Sequence, residues 1–129
     1  MEIYISKILE NISMNEAEML IIKKLKERGF GVITEIDVAA TFKEKINKDF
    51  RPYKILGVCN PAFAFEMLNQ NDKIGILLPC NVCLQQKDET SVEVITINPL
   101  EAMLSINTPE TEKLTINVYE KLREMLEEL

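Results

Sequence analysis

Three cysteines carry most of the reactive chemistry in this sequence. Cys59, Cys80 and Cys83 all fall within one stretch, YKILGVCNPAFAFEMLNQNDKIGILLPCNVCLQQK. Cys59 precedes Asn60-Pro61, the pattern of a helix N-cap followed by a first-turn proline. A thiol placed there lies near free backbone N–H groups, which favour thiolate. A strand, a short helix and a second strand would return Cys80 beside Cys59. The two are therefore the candidate catalytic pair, for a thiol-dependent enzyme or a redox sensor. The plainer alternative is two small packing residues. Cys80-Asn-Val-Cys83 has C-x-x-C spacing, but on a strand its two thiols point to opposite faces. One such pair cannot close a zinc site either, so no metal is expected and Cys83 reads as a packing residue.

The polar candidates are fewer. Glu35 and Asp37 alternate by two and share a face if they lie on a strand. Two carboxylates at that spacing could hold a hard cation or divide acid and base roles. Equally, they could be a solvent face with Asp37 capping the helix that begins at Val38. Arg51 is held by Pro52 in a local basic patch with Lys43, Lys45, Lys48 and Lys54. Its guanidinium could clamp a carboxylate or phosphate, or serve a structural partner. The chain contains no histidine, which removes Ser-His-Asp and Cys-His pairs together with His-based zinc sites.

The elements that must position these groups follow from pattern. Residues 3–9 read as a strand. Ser13 and Glu16 form a capping box, opening a helix from Met14 to Arg28 that Gly29 closes. Phe30 to Ile36 reads as a strand with Val32, Thr34 and Ile36 on one face and Ile33 and Glu35 on the other. Residues 38–51 read as a short helix and loop, and Tyr53–Cys59 as the next strand. A helix then runs to about Asn69, its apolar face assigned to Ala62, Phe65 and Leu68 or Met67. Ile74–Leu78 reads as a buried strand or an extended connector. Asp88-Glu89-Thr90 is a hairpin tip joining Cys80–Lys87 to Val92–Ile97. Residues 100–104 make one or two helical turns. Thr108-Pro109 opens a last helix to about Glu127, with Leu114, Val118, Leu122, Met125 and Leu129 in one stripe free to face the sheet or a second subunit.

A chain of 129 residues suits one domain, 1–129, with a single core. The element order and the late hairpin predict an α+β two-layer sandwich with a largely antiparallel sheet. A doubly wound parallel sheet is the runner-up, weakened because no glycine-rich turn follows a strand. A net charge of −6, the lack of Trp and the absence of a basic stripe argue against nucleic acid as a partner. The N-terminus MEIYISKILE is not a signal peptide, and no run of about 20 apolar residues would span a membrane. An odd cysteine count fits reduced thiols, so a cytoplasmic location is expected.

The segments GFGVITEIDV, ATFKEK, FRPYKILGVCNPAFAFEMLNQN, IGILLPCNV and NPLEAML, in that order, resemble the domain-of-unknown-function 302 (DUF302) family. The likeness covers about residues 13 to 105 and leaves the helix 109–128 outside the motifs. It implies a fold like that of the TATA-binding-protein superfold, with helices on one face of an antiparallel sheet and no DNA binding. It supplies no activity, and it implies a homodimer. Cys59 and Cys80 fall in family-like segments, whereas Cys83 stands where an aliphatic residue is expected.

Together these readings predict a ligand-binding or regulatory domain, with a small-molecule pocket between sheet and helices. Glu35, Asp37, Arg51, Cys59, Asn60 and Cys80 are its candidate ligand-binding residues, and no cofactor is expected. A thiol-dependent enzyme or sensor using Cys59 and Cys80 is the second reading. A structural or interaction module is the third.

Overall fold

The computed structural model describes all 129 residues. Five strands form one sheet in the order β1-β5-β4-β3-β2, every neighbouring pair antiparallel. These are β1 (Tyr4–Glu10), β2 (Gly31–Asp37), β3 (Tyr53–Cys59), β4 (Cys80–Gln86) and β5 (Ser91–Ile97). The helices are α1 (Met14–Glu27), α2 (Val38–Ile46), α3 (Pro61–Gln70), α4 (Pro99–Ala102) and α5 (Pro109–Glu127), with a 3-10 helix at Asp72–Leu77. The architecture is α+β, with α1, α3 and α5 layered on one face of the sheet.

Local signals explain most boundaries. Ser13 Oγ accepts from Glu16 N at 3.1 Å while Glu16 Oε1 accepts from Ser13 N at 3.2 Å, the reciprocal box expected of that sequence. Gly29 takes φ +81° just past the helix end, a conformation that favours glycine. At the β4–β5 hairpin, Asp88 Oδ1 accepts from Thr90 N and Ser91 N at 2.9 Å each. Those bonds stabilise the carboxylate and lower its pKa.

Alternation makes the sheet one-sided in its burial. Leu56 and Val58 of β3, Val82 and Leu84 of β4, and Val92 and Val94 of β5 share a face through their cross-strand pairing. They pack against Ala17, Ile21 and Leu25 of α1, Met67 of α3, and Val118, Leu122, Met125 and Leu126 of α5, all buried. Strand β1 lies at one edge and β2 at the other, so α1 crosses the width of the sheet between them. The smallest contact on α1, Ala17, is fully buried. The α1 and α5 C-terminal ends are clipped by Arg28 to Glu124 at 3.5 Å and to Glu128, and by Lys24 to Glu128 at 3.5 Å.

Three details differ from the sequence expectations, and a fourth decides an alternative they left open. Strand β2 carries a bulge between Val32 and Thr34, where Ile33 is the unpaired extra residue. Thr34 and Ile36 therefore face away from Val32, and Glu35 and Asp37 join Val32 on the helix side. Residues 74–77 are 3-10 helix rather than strand, because Asn71 caps a new turn by accepting from Lys73 N at 2.9 Å. The inward face of α3 is Phe63, Ala64 and Met67, leaving Phe65 and Leu68 exposed. Finally, the α5 stripe is consumed by the protein's own core, together with the buried hydroxyls of Thr111 and Thr115 that bond Asn107 Oδ1 at 3.1 and 3.3 Å.

Two glycines of the sheet's β2–β3 edge should respond oppositely to alanine. A Cβ at Gly57 would overlap Thr34 Oγ1 and lie 2.8 Å from Pro79 Cγ, whereas a Cβ at Gly31 meets nothing within 4 Å. Gly57→Ala is expected to destabilise by about 1–3 kcal/mol through overpacking. Gly31→Ala is expected to be neutral or stabilising by up to about 1 kcal/mol, because it restricts the unfolded chain. Urea unfolding midpoints check both; a Gly57→Ala midpoint at or above the wild-type value would contradict the packing described.

Candidate functional site

Strands β3 and β5 run in the same direction with β4 between them, so their C-terminal ends lie together at one end of the sheet. Both ends carry the same device. Cys59-Asn60-Pro61 turns β3 into α3, and Ile97-Asn98-Pro99 turns β5 into α4. Each asparagine is an N-cap: Asn60 Oδ1 accepts from Phe63 N at 3.5 Å and Asn98 Oδ1 from Leu100 N at 3.1 Å. Cys80 opens β4 at the same end, where it pairs with Val58.

These junctions enclose an apolar cleft of about 40 Å³. Val58 and Cys80 reach it from the helix side of the sheet, and Cys59 and Ile97 from the strand ends. Phe63, Ala64 and Met67 of α3 form one wall, and Pro99, Ala102, Met103 and Val118 another. Among its lining residues, the amide of Asn60 and the thiols of Cys59 and Cys80 are the hydrogen-bonding side chains. At roughly 10–15 Å³ per water-sized group, the cleft admits about three such groups.

Cys59 and Cys80 thus line one cavity, and both are free thiols. Burial raises the Cys59 pKa. Burial, and secondarily the neighbouring Cys59 thiol, pushes Cys80 up to about 11. Desolvation of the anion outweighs whatever the α3 N-terminus contributes, so both side chains are held as neutral thiols. Asn60 itself fills the first-turn position that would have favoured charge. Cys83 lies on the opposite face of β4, between Ile55 and Ile95 by register and near Tyr53. The C-x-x-C pair is therefore split by the sheet.

The remaining candidates sit elsewhere. Glu35 Oε1 accepts from Lys54 Nζ at 2.7 Å, and Lys54 also meets Glu18 of α1 at 2.8 Å. The two carboxylates raise the Lys54 pKa and form an α1–sheet ion cluster away from the cleft. Asp37 caps α2, accepting from Ala40 N at 3.0 Å. Arg51 lies on the sheet's other face, its Nε donating to Gln85 Oε1 at 2.7 Å and its guanidinium 4.4 Å above the Phe50 ring. Of the six predicted residues, the fold brings together Cys59, Asn60 and Cys80 and leaves Glu35, Asp37 and Arg51 apart. No three Cys, Asp or Glu side chains group as metal ligands would. The sequence reading missed the second wall of the cleft, Pro99, Ala102 and Met103. The repeated Asn-Pro at 60–61 and 98–99 was the signal that could have found it.

The Cys80 thiol makes alkaline stability a reporter of this site. A group whose folded pKa is raised contributes stability that is intact below its unfolded pKa and lost as pH rises through the folded one. Stability should therefore fall between about pH 9, the ordinary value, and about 11. Cys80→Ala is expected to flatten that fall, as measured by urea unfolding at stepped pH. Cys80 should also alkylate slowly with iodoacetamide at neutral pH. Rapid labelling of the folded protein at pH 7 would contradict the neutral-thiol assignment.

No curated protein matches the chain. Among solved structures, it is similar to the uncharacterized conserved protein DUF302 from Bacillus stearothermophilus. The two share 27% identity with a TM-score of 0.87, covering 97% of this chain and 96% of that one. The family described as domain of unknown function DUF302 matches residues 5–129, which extends past the segments quoted above into β1 and through α5. The chain belongs to the DUF302 family.

Proposed function

We propose that this protein is a binding module for a small, largely apolar ligand, taken up in the cleft at the Cys59–Asn60 end of the sheet. The observation that carries the reading is the convergence of two strand-to-helix junctions and the start of β4 on one apolar cavity. Apolar walls with a few placed polar groups are the usual make-up of a small-molecule site. Asn60 and the two neutral thiols supply those groups, the thiols as soft, weakly hydrogen-bonding contacts rather than nucleophiles. The raised thiol pKa values disfavour the thiol-enzyme reading. The proposal takes the protein as a cytoplasmic homodimer, a location supported by three unpaired cysteines. No helix is long and apolar enough to cross a membrane.

Amide chemical shifts recorded while titrating ethanol, a probe of three non-hydrogen atoms, test the cleft. Saturable changes confined to Cys59, Ala64, Met67, Cys80 and Ala102 are expected. Ala102→Leu, which fills the cavity, should reduce them at least tenfold. Changes scattered over the surface, or an unaltered response in Ala102→Leu, would overturn the reading.

A further inference from the structure

The face of the sheet turned away from α1, α3 and α5 carries an apolar row over four strands, with Ser6, Thr34, Asn81, Gln85 and Glu93 as its polar members. Pairing sets Ile95, Cys83, Ile55 and Ile36 in one straight row over β5, β4, β3 and β2. Tyr4 and Ile8 extend the apolar surface onto β1, and Ile8, Ile36 and Tyr4 are 52%, 47% and 47% exposed. Only α2 and the loop after it approach this face. Phe42, Phe50 and Tyr53 stack there, with ring centroids 5.2 and 6.2 Å apart, and raise a wall over the β2–β3 side. A polar chain borders the row: Arg51 donates to Gln85, Gln85 Nε2 donates to Glu93 Oε1 at 2.8 Å, and Lys87 lies 3.8 Å from Glu93.

We propose that a second copy of this chain covers this face, sheet against sheet. The inference rests on the homodimer reading above and names its surface. A two-fold axis along β4 exchanges β3 with β5 and β2 with β1. It sets Ile55 of one copy over Ile95 of the other, and Arg51 toward Glu93, the carboxylate that already meets its own Lys87 at 3.8 Å. The aromatic wall beside β2 then falls on the uncovered β1 side, where Ile8 and Tyr4 are exposed. Shape and charge are thus self-complementary, as a two-fold interface requires.

The size is adequate. Five strands about 4.8 Å apart and seven residues long at about 3.3 Å give a face of roughly 550 Å². Two copies bury about 1,100 Å² before the aromatic wall is added, above the roughly 1,000 Å² that a biological interface should clear. The protomer exposes 7651 Å², whereas a compact monomer of its mass exposes about 7,000 Å². The β2 edge is a weaker route to pairing, since it is interrupted by its bulge.

Light scattering at about 100 µM is expected to give twice the 14.8 kDa chain mass. Ile8→Arg and Ile36→Arg, at positions exposed in the protomer, should halve it with an unchanged circular dichroism spectrum. In the wild-type dimer, a soluble gadolinium chelate should broaden the methyl signal of Ile76, which is 86% exposed, but spare those of Ile8 and Ile36. A wild-type mass of 14.8 kDa would overturn both the homodimer reading and this surface. A wild-type dimer whose Ile8 and Ile36 methyls broaden like that of Ile76, or that persists in both variants, would overturn the surface alone.

Discussion

Burial of one face of an antiparallel sheet is the constraint from which the rest of this structure follows. Leu56, Val58, Val82, Leu84, Val92 and Val94 must leave water together, because their pairing fixes them on one side. Helices α1 and α5 supply the cover, and α1 must cross from the β1 edge to the β2 edge to do so. Each fully buried aliphatic side chain contributes about 1.5–3 kcal/mol, while an exposed ion pair contributes about 0–1 kcal/mol. The ion pairs at Arg28 and Lys24, with largely buried cations and half-exposed carboxylates, clip the ends of α1 and α5 together.

The same constraint locates the cleft. Once β3 and β5 run side by side with β4 between them, the two Asn-Pro junctions arrive at one end of the sheet. Helices α3 and α4 start there, and their first turns diverge from the strands they follow. Phe63, Met67 and Met103 line the gap, and Cys59 and Cys80 sit in it half-buried. Burial near these thiols opposes ionisation, and the caps occupy helix donors that would have favoured it. The geometry that brings the cysteines together is thus also what makes them poor nucleophiles.

The open face is the complement of the covered one. Alternation that sends Leu56 inward sends Ile55 outward, and the bulge at Ile33 turns Ile36 to join it. Gln85, although on that face, is 7% exposed, shielded by Arg51 and Glu93 to which it is hydrogen-bonded. An apolar row bordered by a satisfied polar chain has the anatomy of an interface more than that of a solvated sheet surface.

The sequence by itself determined what depends on neighbours in the chain. Ser13 with Glu16, Asn60-Pro61, Asn98-Pro99, Thr108-Pro109 and Asp88 fix helix starts and a turn through bonds spanning two or three residues. The alternating strands were legible for the same reason, and so was the splitting of Cys80 from Cys83 across β4. Tertiary structure decided everything that depends on pairing register. The bulge at Ile33, invisible without β3 as a partner, reversed the faces of Thr34 and Ile36. The inward face of α3 was decided by the cleft it covers, which chose Phe63 and Met67 over the equally apolar Phe65 and Leu68. The α5 stripe could have met a second chain, and the sheet of its own chain claimed it first. Glu35, Asp37 and Arg51 carry the right chemistry for a site. Only the fold set them against Lys54, the α2 N-terminus and Gln85, because which charges meet is a matter of long-range packing.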